Sequence, residues 1–252
     1  MNIDLRGKVI VVTGAGRGLG RALALGLAAQ GAHVAVLARR QEQAAQTVQE
    51  ISRLPGAAAA LAVVADVSDE SAVARAVATI DRTWGRIDAL INNAAWMPPR
   101  QYVLETDVET LTRAYSSNVV GSFVTTKHAA PVMIRGGGGR IIYVSSALGV
   151  QPNPGLAAYG GTKAALNILS SVVHQELSGQ GIRTVALAPG LTDTPGMRES
   201  VGEEYIERIA SSYPGGRLGS PEDILPLTAF LCSDAADHLS GTLIAVRPPA
   251  TG

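Results

Sequence analysis

Residues 8–20 read KVIVVTGAGRGLG, an apolar run that breaks into glycines and resumes as the alanine- and leucine-rich stretch Arg21–Gln30. Lys8–Val12 is short, rich in β-branched residues and bounded by a turn, the pattern of a fully buried strand. Arg21–Gln30 has helical spacing, and Gly31 stops it. Strand, glycine loop and helix in that order bring backbone N–H groups to a helix N-terminus, where the chain can approach a pyrophosphate. The common fingerprint G-x-G-x-x-G does not fit from Gly14 and Gly16, because its sixth position is Leu19. The spacing is instead T-G-x-x-x-G-x-G, with Thr13, Gly14, Gly18 and Gly20 fixed and Gly16, Arg17 and Leu19 among the residues between. Placed directly after the first buried strand, this loop predicts a dinucleotide site rather than a ligand-free turn.

The same alternation repeats outward from that loop. His33–Ala38, Leu61–Ala65, Asp88–Asn92, Arg140–Ser145, Ile182–Ala188 and Leu243–Val246 read as strands. Gln41–Arg53, Asp69–Trp84 and Pro221–Ser233 read as helices, with Ser68 the expected N-cap of the second and Pro221 at the first position of the third. A long helix is expected from Asp107 to about Ile134, bent near Pro131, and another from Ala157 to about Ser178. The four glycines Gly136–Gly139 precede a strand, so they mark a turn and not a nucleotide loop. Met197–Tyr213 reads as a mobile, partly helical insertion. Strands alternating with helices predict an α/β fold: a Rossmann-like doubly wound parallel sheet of about seven strands, covered on both faces. No linker, repeat or shift of composition divides the chain, so one domain over residues 1–252 is expected, with a variable substrate loop at about 191–215.

Composition narrows the function. Of the 252 residues, 46% are hydrophobic and 17% charged, and 21 basic side chains balance 21 acidic ones, so a basic field for nucleic acid is not expected. The single cysteine, Cys232, excludes an intramolecular disulfide and a cysteine metal cluster, and its apolar neighbours suggest a buried structural thiol. His33, His128, His174 and His238 are scattered without zinc-like spacing, so no metal is expected. No apolar run reaches the ~18 residues of a membrane span, and the N-terminal MNIDLRGK lacks a signal-peptide core. A reducing, cytoplasmic setting is the expectation.

Two further features carry chemistry. The second strand ends in Arg39 and Arg40, where an acid would hold a ribose 2′-hydroxyl and an arginine a 2′-phosphate. Arg17 adds a cation inside the loop, and guanidinium forks suit phosphate, so NADP(H) is favoured over NAD(H). In the alanine-rich stretch AAYGGTKAAL (Ala157–Leu166), Tyr159 and Lys163 stand four residues apart and so share one helix face. On their own they read as an exposed tyrosine and a snorkelling lysine sooner than as a site.

Taken with TGAGRGLG, Asp66-Val67, Asn92-Asn93-Ala94-Ala95, Asn118, Ser145-Ser146 and Pro189-Gly190, in this order along the chain, the pair resembles the short-chain dehydrogenase/reductase family. The resemblance implies an oxidoreductase that interconverts a ketone or aldehyde and an alcohol by hydride transfer. It implies that Tyr159 moves the proton, that Lys163 lowers its pKa and holds the nicotinamide ribose, that Ser146 holds the substrate oxygen, and that Asn118 holds a water of the proton relay. It further implies that Asp66 and Val67 contact adenine, that Asn92 and Ala94 close over the cofactor, and that Thr194 meets the carboxamide, with Pro189, Gly190 and Thr192 beside it. Ala95 departs from the family's usual glycine. The C-terminal AVRPPATG departs from its usual Val-Asp-Gly-Gly run, and Pro248 and Pro249 forbid continued ladder bonding there. The resemblance also implies a homotetramer or homodimer.

Trp96, Met97, Leu148, Val150, Leu191 and Met197 suggest a substrate with an apolar portion. Two alternatives remain at this point. One is reduction of a 3-oxoacyl group on an acyl carrier protein, for which Arg135, Arg140 and Arg198 are candidate docking residues. The other is a non-catalytic dinucleotide-binding protein.

Overall fold

VIVVT forms β1 (Val9–Thr13), buried at every position because both faces of the sheet are covered. Val9 and Val11 enter one apolar cluster and Ile10 and Val12 the other, as the two-residue repeat of a strand requires. The computed structural model describes residues 3–194, 197–198, 203–213 and 215–247. Its other strands are β2 (His33–Ala38), β3 (Ala60–Val64), β4 (Ala89–Asn92), β5 (Gly139–Val144), β6 (Ile182–Pro189) and β7 (Thr242–Val246). They make one parallel seven-stranded sheet in the order β3-β2-β1-β4-β5-β6-β7.

The helices are α1 (Gly18–Ala29), α2 (Gln41–Ser52), α3 (Glu70–Trp84), α4 (Val108–Tyr115), α5 (Gly121–Arg135), α6 (Ala157–Leu177), α7 (Glu203–Ser212) and α8 (Pro221–Cys232). Leu23 and Leu27 of α1, Ile51 of α2 and Ile224 of α8 pack on one face of the sheet. Val73 and Ile80 of α3, Met133 of α5 and Leu166 of α6 pack on the other. Winding runs outward from β1 to β3, then restarts on the far side at β4. The crevice at the C-terminal ends of β1 and β4 is therefore the point where ligands bind in such sheets.

Several boundaries differ from the sequence expectation. Helix α1 begins at Gly18, inside the glycine loop, and not at Arg21. Asp69 caps α3 by accepting the Ala72 N–H at 3.0 Å, while Ser68 donates to Asp66 instead. The long helix is interrupted by a π turn at Ser116–Val120, between α4 and α5, and Pro131 lies within α5. Gly139 already belongs to β5. In the insertion, Ile206 of α7 packs with Met197 and Leu218. Ser220 and Asp223 form a capping box ahead of Pro221 in α8. Pro248 and Pro249 lie outside the described residues. Cys232 is buried, and burial pushes its thiol up to about 12. Among the described residues no helix is long and apolar enough to cross a membrane.

Candidate active site

The crevice is assembled by one buried threonine. Thr13, at the end of β1, donates its hydroxyl to the Ile91 carbonyl at 3.2 Å and accepts the N–H groups of Asn93 and Ala94, both at 2.9 Å. Asn93 returns a bond from Nδ2 to the Thr13 carbonyl at 2.9 Å. The glycine loop and the loop after β4 are thereby fixed against each other. Gly20 is required by that approach, since a Cβ there would collide with Asn93 Nδ2 and the Gly14 carbonyl. Gly18 differs: its φ of +55° needs glycine, yet a Cβ would meet nothing nearer than Thr194 Cβ at 3.8 Å, so its open side faces across the crevice.

Arg17 is the N-cap of α1 and makes no side-chain cap bond, and the first turn of α1 carries no acid. The positive end of the helix dipole therefore meets no acidic side chain in that turn.

A cavity of about 1110 Å³ occupies the crevice. Gly14 and Gly16–Gly20 line it, as do Arg39, Arg40, Asp66 and Val67. Ala94, Ser146, Tyr159 and Lys163 line the middle, and Pro189, Gly190, Thr192 and Thr194 close the side under β6. Arg39 and Arg40 are exposed at the mouth, and Arg39 Nη1 stands 3.9 Å from Asp66 Oδ2.

Tyr159 and Lys163 lie on one face of α6, with Lys163 Nζ 5.3 Å from the centroid of the Tyr159 ring. Lys163 is only 2% exposed, and its Nζ donates to the Val144 carbonyl at 2.7 Å, at the end of β5. Burial lowers the Lys163 ammonium to about 8 and raises the Tyr159 phenol to about 12. The expected lowering of the phenol by Lys163 does not appear. Desolvation, which disfavours both charged forms, outweighs the lysine's charge, whose hydrogen bond goes to a carbonyl and not to the phenol. Ser146 follows β5 and accepts the Leu148 N–H at 3.2 Å on its Oγ.

Three predicted residues stay off the cavity wall. Thr13 acts from behind, as described. Asn92 is buried and turned toward α5: its Oδ1 accepts the Thr125 hydroxyl at 2.5 Å, and its Nδ2 donates to Thr126 at 3.2 Å. As the last residue of β4 it points into the helical layer; Asn93, the first residue of the loop, reaches the cavity instead. Asn118 sits in the π turn, where its Oδ1 accepts the Trp96 N–H at 2.7 Å. Its Nδ2 donates to the Trp96 carbonyl at 3.0 Å and to Thr162 at 3.1 Å, so both amide hydrogens are spent on positioning Trp96 against α6.

Of the apolar candidates, Trp96, Met97, Leu148, Leu191 and Met197 line the cavity, whereas Val150 is exposed and lies off it. Arg100, Gln151, Asn153 and Arg208, from the same three segments as the apolar candidates, also line the cavity and make this end more polar than expected. Arg113 stacks on the Trp96 ring at 4.1 Å. The three candidate docking arginines do not gather. Arg135 pairs with Asp81 at 2.7 Å, buried Arg140 with Asp237 at 2.7 Å, and Arg198 with Asp193 at 2.7 Å and Glu203 at 2.8 Å. Arg140 stands near the start of β5, at the end of the sheet opposite the crevice.

Comparison with known proteins agrees with this geometry. The family model for short chain dehydrogenase matches residues 8–205. An NADPH-dependent aldehyde reductase-like protein of Arabidopsis thaliana is 32% identical over 97% of this chain and 94% of its own. A 3-oxoacyl-[acyl-carrier-protein] reductase of Thermotoga maritima is 34% identical over 96% of this chain and 97% of its own. The solved structure of a 7 alpha-hydroxysteroid dehydrogenase complexed with NADH and 7-oxo glycochenodeoxycholic acid superposes with a TM-score of 0.92 at 31% identity, covering 99% of this chain and 96% of that one. The buried loop, the crevice at the sheet's switch point and these likenesses agree: the chain belongs to the short-chain dehydrogenase family and is an oxidoreductase on a Rossmann-like fold.

Proposed function

We propose that this protein is an NADP(H)-dependent oxidoreductase that interconverts a ketone or aldehyde and its alcohol, with Tyr159 as the proton-transfer group. The observation that carries this reading is a lysine buried to 2% exposure beside a tyrosine on the cavity wall. Burying an unpaired ammonium is costly, so a core lysine in this position calls for a function.

The residues present fit a dinucleotide. The uncapped N-terminus of α1 and the open side of Gly18 suit a pyrophosphate. Asp66 and Val67 would take the adenine end, Ala94 and Lys163 the ribose nearer the chemistry, and Pro189, Gly190, Thr192 and Thr194 the carboxamide. Arg39 and Arg40 would take a 2′-phosphate, and β2 ends without an acid that would prefer a hydroxyl. The cavity exceeds what a small substrate alone needs. When bound, the nicotinamide supplies or accepts the hydride.

The chain's own residues do the rest. Ser146 Oγ, directed by its bond from Leu148, orients the substrate oxygen. Tyr159 Oη gives that oxygen its proton in reduction and takes it back in oxidation. A phenol raised to about 12 remains protonated at neutral pH, which suits the reductive direction. Lys163 is held in place by the Val144 carbonyl, and its positive charge beside the ring stabilises the phenolate that proton donation leaves behind. Trp96, Met97, Leu148 and Leu191 suit a substrate with an apolar portion. The separated arginines give no support to an acyl-carrier docking patch, although one relative has that activity.

Val108 on α4, Phe123 on α5 and Ile168 on α6 are exposed by 76%, 53% and 67%, which fits a homodimer or homotetramer formed through these helices. A buried free Cys232 fits a cytoplasmic setting. The function is tested by following NADPH and NADH consumption with a panel of aliphatic aldehydes, aryl ketones, hydroxysteroid ketones and a 3-oxoacyl thioester. Turnover with none of them would overturn the enzymatic reading in favour of a binding protein.

A further inference from the structure

Asn167 extends the face of α6 that carries Tyr159 and Lys163 by one more turn, at the next i+4 position. Its Oδ1 accepts the Ser145 hydroxyl at 2.6 Å, shorter than that hydroxyl's other approach, 3.1 Å to the Lys163 carbonyl, and its Nδ2 donates to the Gly149 carbonyl at 3.2 Å. Between those two anchor points lies the short turn that carries Ser146. Inside that turn, Leu148 N–H donates to Ser146 Oγ at 3.2 Å and Gly149 N–H to the Ser146 carbonyl at 2.9 Å. Ser145 is held on its other side by β6, through its N–H to the Leu187 carbonyl at 2.7 Å. The turn also lies so close to α6 that a Cβ on Gly149 would stand 2.9 Å from the Lys163 carbonyl carbon.

We propose that Asn167 is a positioning residue: one amide clamps both ends of the Ser146 turn to α6 and so fixes the distance between the Ser146 hydroxyl and the Tyr159–Lys163 pair. The proposal rests on the reading of Ser146 and Tyr159 given above. An amide suits the task because one end must accept a hydroxyl proton while the other donates to a carbonyl. Leucine has a similar size and can do neither. Catalysis falls steeply when reacting groups are misplaced by about 1 Å, by roughly 10²-fold. Loss of the clamp should therefore affect the chemical step more than binding.

The test compares Asn167→Leu, Ser145→Ala and their double variant with the wild type and with Tyr159→Phe. The assay is NADPH oxidation with the carbonyl compound of the panel that the wild type reduces fastest. Amide hydrogen exchange of the cofactor-free protein is measured in parallel. Each single variant should lower kcat by about 10- to 100-fold with KM and NADPH affinity within about threefold. The double variant should be no worse than Asn167→Leu, because that substitution already removes both arms of the clamp and Ser145→Ala only one of them. The Leu148 and Gly149 amides should exchange at least about tenfold faster in Asn167→Leu, with the sheet unchanged. If Asn167→Leu does not fold, Ser145→Ala and its exchange at the same two amides decide the matter. Normal kcat and normal exchange in the foldable variants, with Tyr159→Phe inactive, would overturn the clamp and leave the catalytic reading intact. Additive losses in the double variant, or losses in kcat and NADPH affinity of equal size, would overturn it as well. An active Tyr159→Phe would overturn the catalytic reading itself, and the clamp with it.

Discussion

Lys163 Nζ lies 5.3 Å from the centre of the Tyr159 ring and gives its hydrogen bond to the Val144 carbonyl, not to the phenol. The two side chains meet because α6 places them one turn apart, and Val144 holds the ammonium because β5 ends beside that turn. Tyr159→Phe keeps the ring that packs beside the ammonium and removes only the transferable proton. Turnover should fall by at least ~10²-fold, while dinucleotide affinity, measured by fluorescence titration, stays within about threefold. Near-normal turnover would make Tyr159 a packing residue.

Cofactor choice should follow the two arginines at the cavity mouth. Replacing Arg39 by Asp and Arg40 by Ala removes both guanidinium groups and sets a carboxylate near Asp66. NADPH should lose on the order of 1.5–3 kcal/mol of binding, the worth of charge-assisted hydrogen bonds, and the NADPH/NADH ratio of kcat/KM should fall. An unchanged ratio would place the 2′-phosphate site elsewhere.

Asn92 should matter for stability and not for the cofactor. Asn92→Leu removes the partner of Thr125 and Thr126 in the buried layer between β4 and α5. Unfolding in urea should show a loss of about 1–3 kcal/mol, with dinucleotide affinity within about threefold of the wild type. A large loss of affinity at preserved stability would return Asn92 to the cofactor.

Lys163 gives stability an unusual pH dependence. Burial lowers its pKa from the ordinary 10.5 to about 8, so between these values the folded protein has lost a proton that the unfolded chain still binds. The Lys163 contribution to the stability of the cofactor-free protein should therefore rise as pH increases through that window, by about 1.4 kcal/mol per unit and about 3 kcal/mol in all. Tyr159 acts in the opposite sense only above its ordinary 10.0, where the folded protein retains a proton the unfolded chain releases. Cys232 also acts in that opposite sense above its ordinary 9.0, since burial holds its thiol up to about 12, so the lysine is isolated by comparison with Lys163→Met, which keeps both Tyr159 and Cys232. Lys163→Met should lack the rise when the two proteins are unfolded in urea across that interval. Parallel curves would show that the ammonium is solvated in the folded state.

The seven-strand α/β order, the glycine loop and the Tyr159–Lys163 face were readable from the chain because each rests on local periodicity. A strand repeats every two residues and a helix every 3.6, so buried faces and i+4 neighbours follow from spacing alone. Arg39 and Arg40 were likewise readable as the residues that follow β2. Packing decided the remainder. Asn92 and Asn93 are adjacent and chemically identical, yet the end of β4 sends one into the α5 layer and the other to the cavity. The side-chain bonds of Asn118 to Trp96 and Thr162 came from packing, since its place in a π turn is announced by no residue of the stretch. Arg135, Arg140 and Arg198 read as a possible patch and were separated by the carboxylates each one meets. Asn167 carried no sequence signal, since its partners, Ser145 and Gly149, are brought to it only when β5 delivers the Ser146 turn onto α6. The setting of Tyr159 also came from tertiary structure: the spacing supplies a neighbouring cation, but packing at the cavity wall desolvates the phenol, which raises it, and sends the hydrogen bond of Lys163 to the Val144 carbonyl.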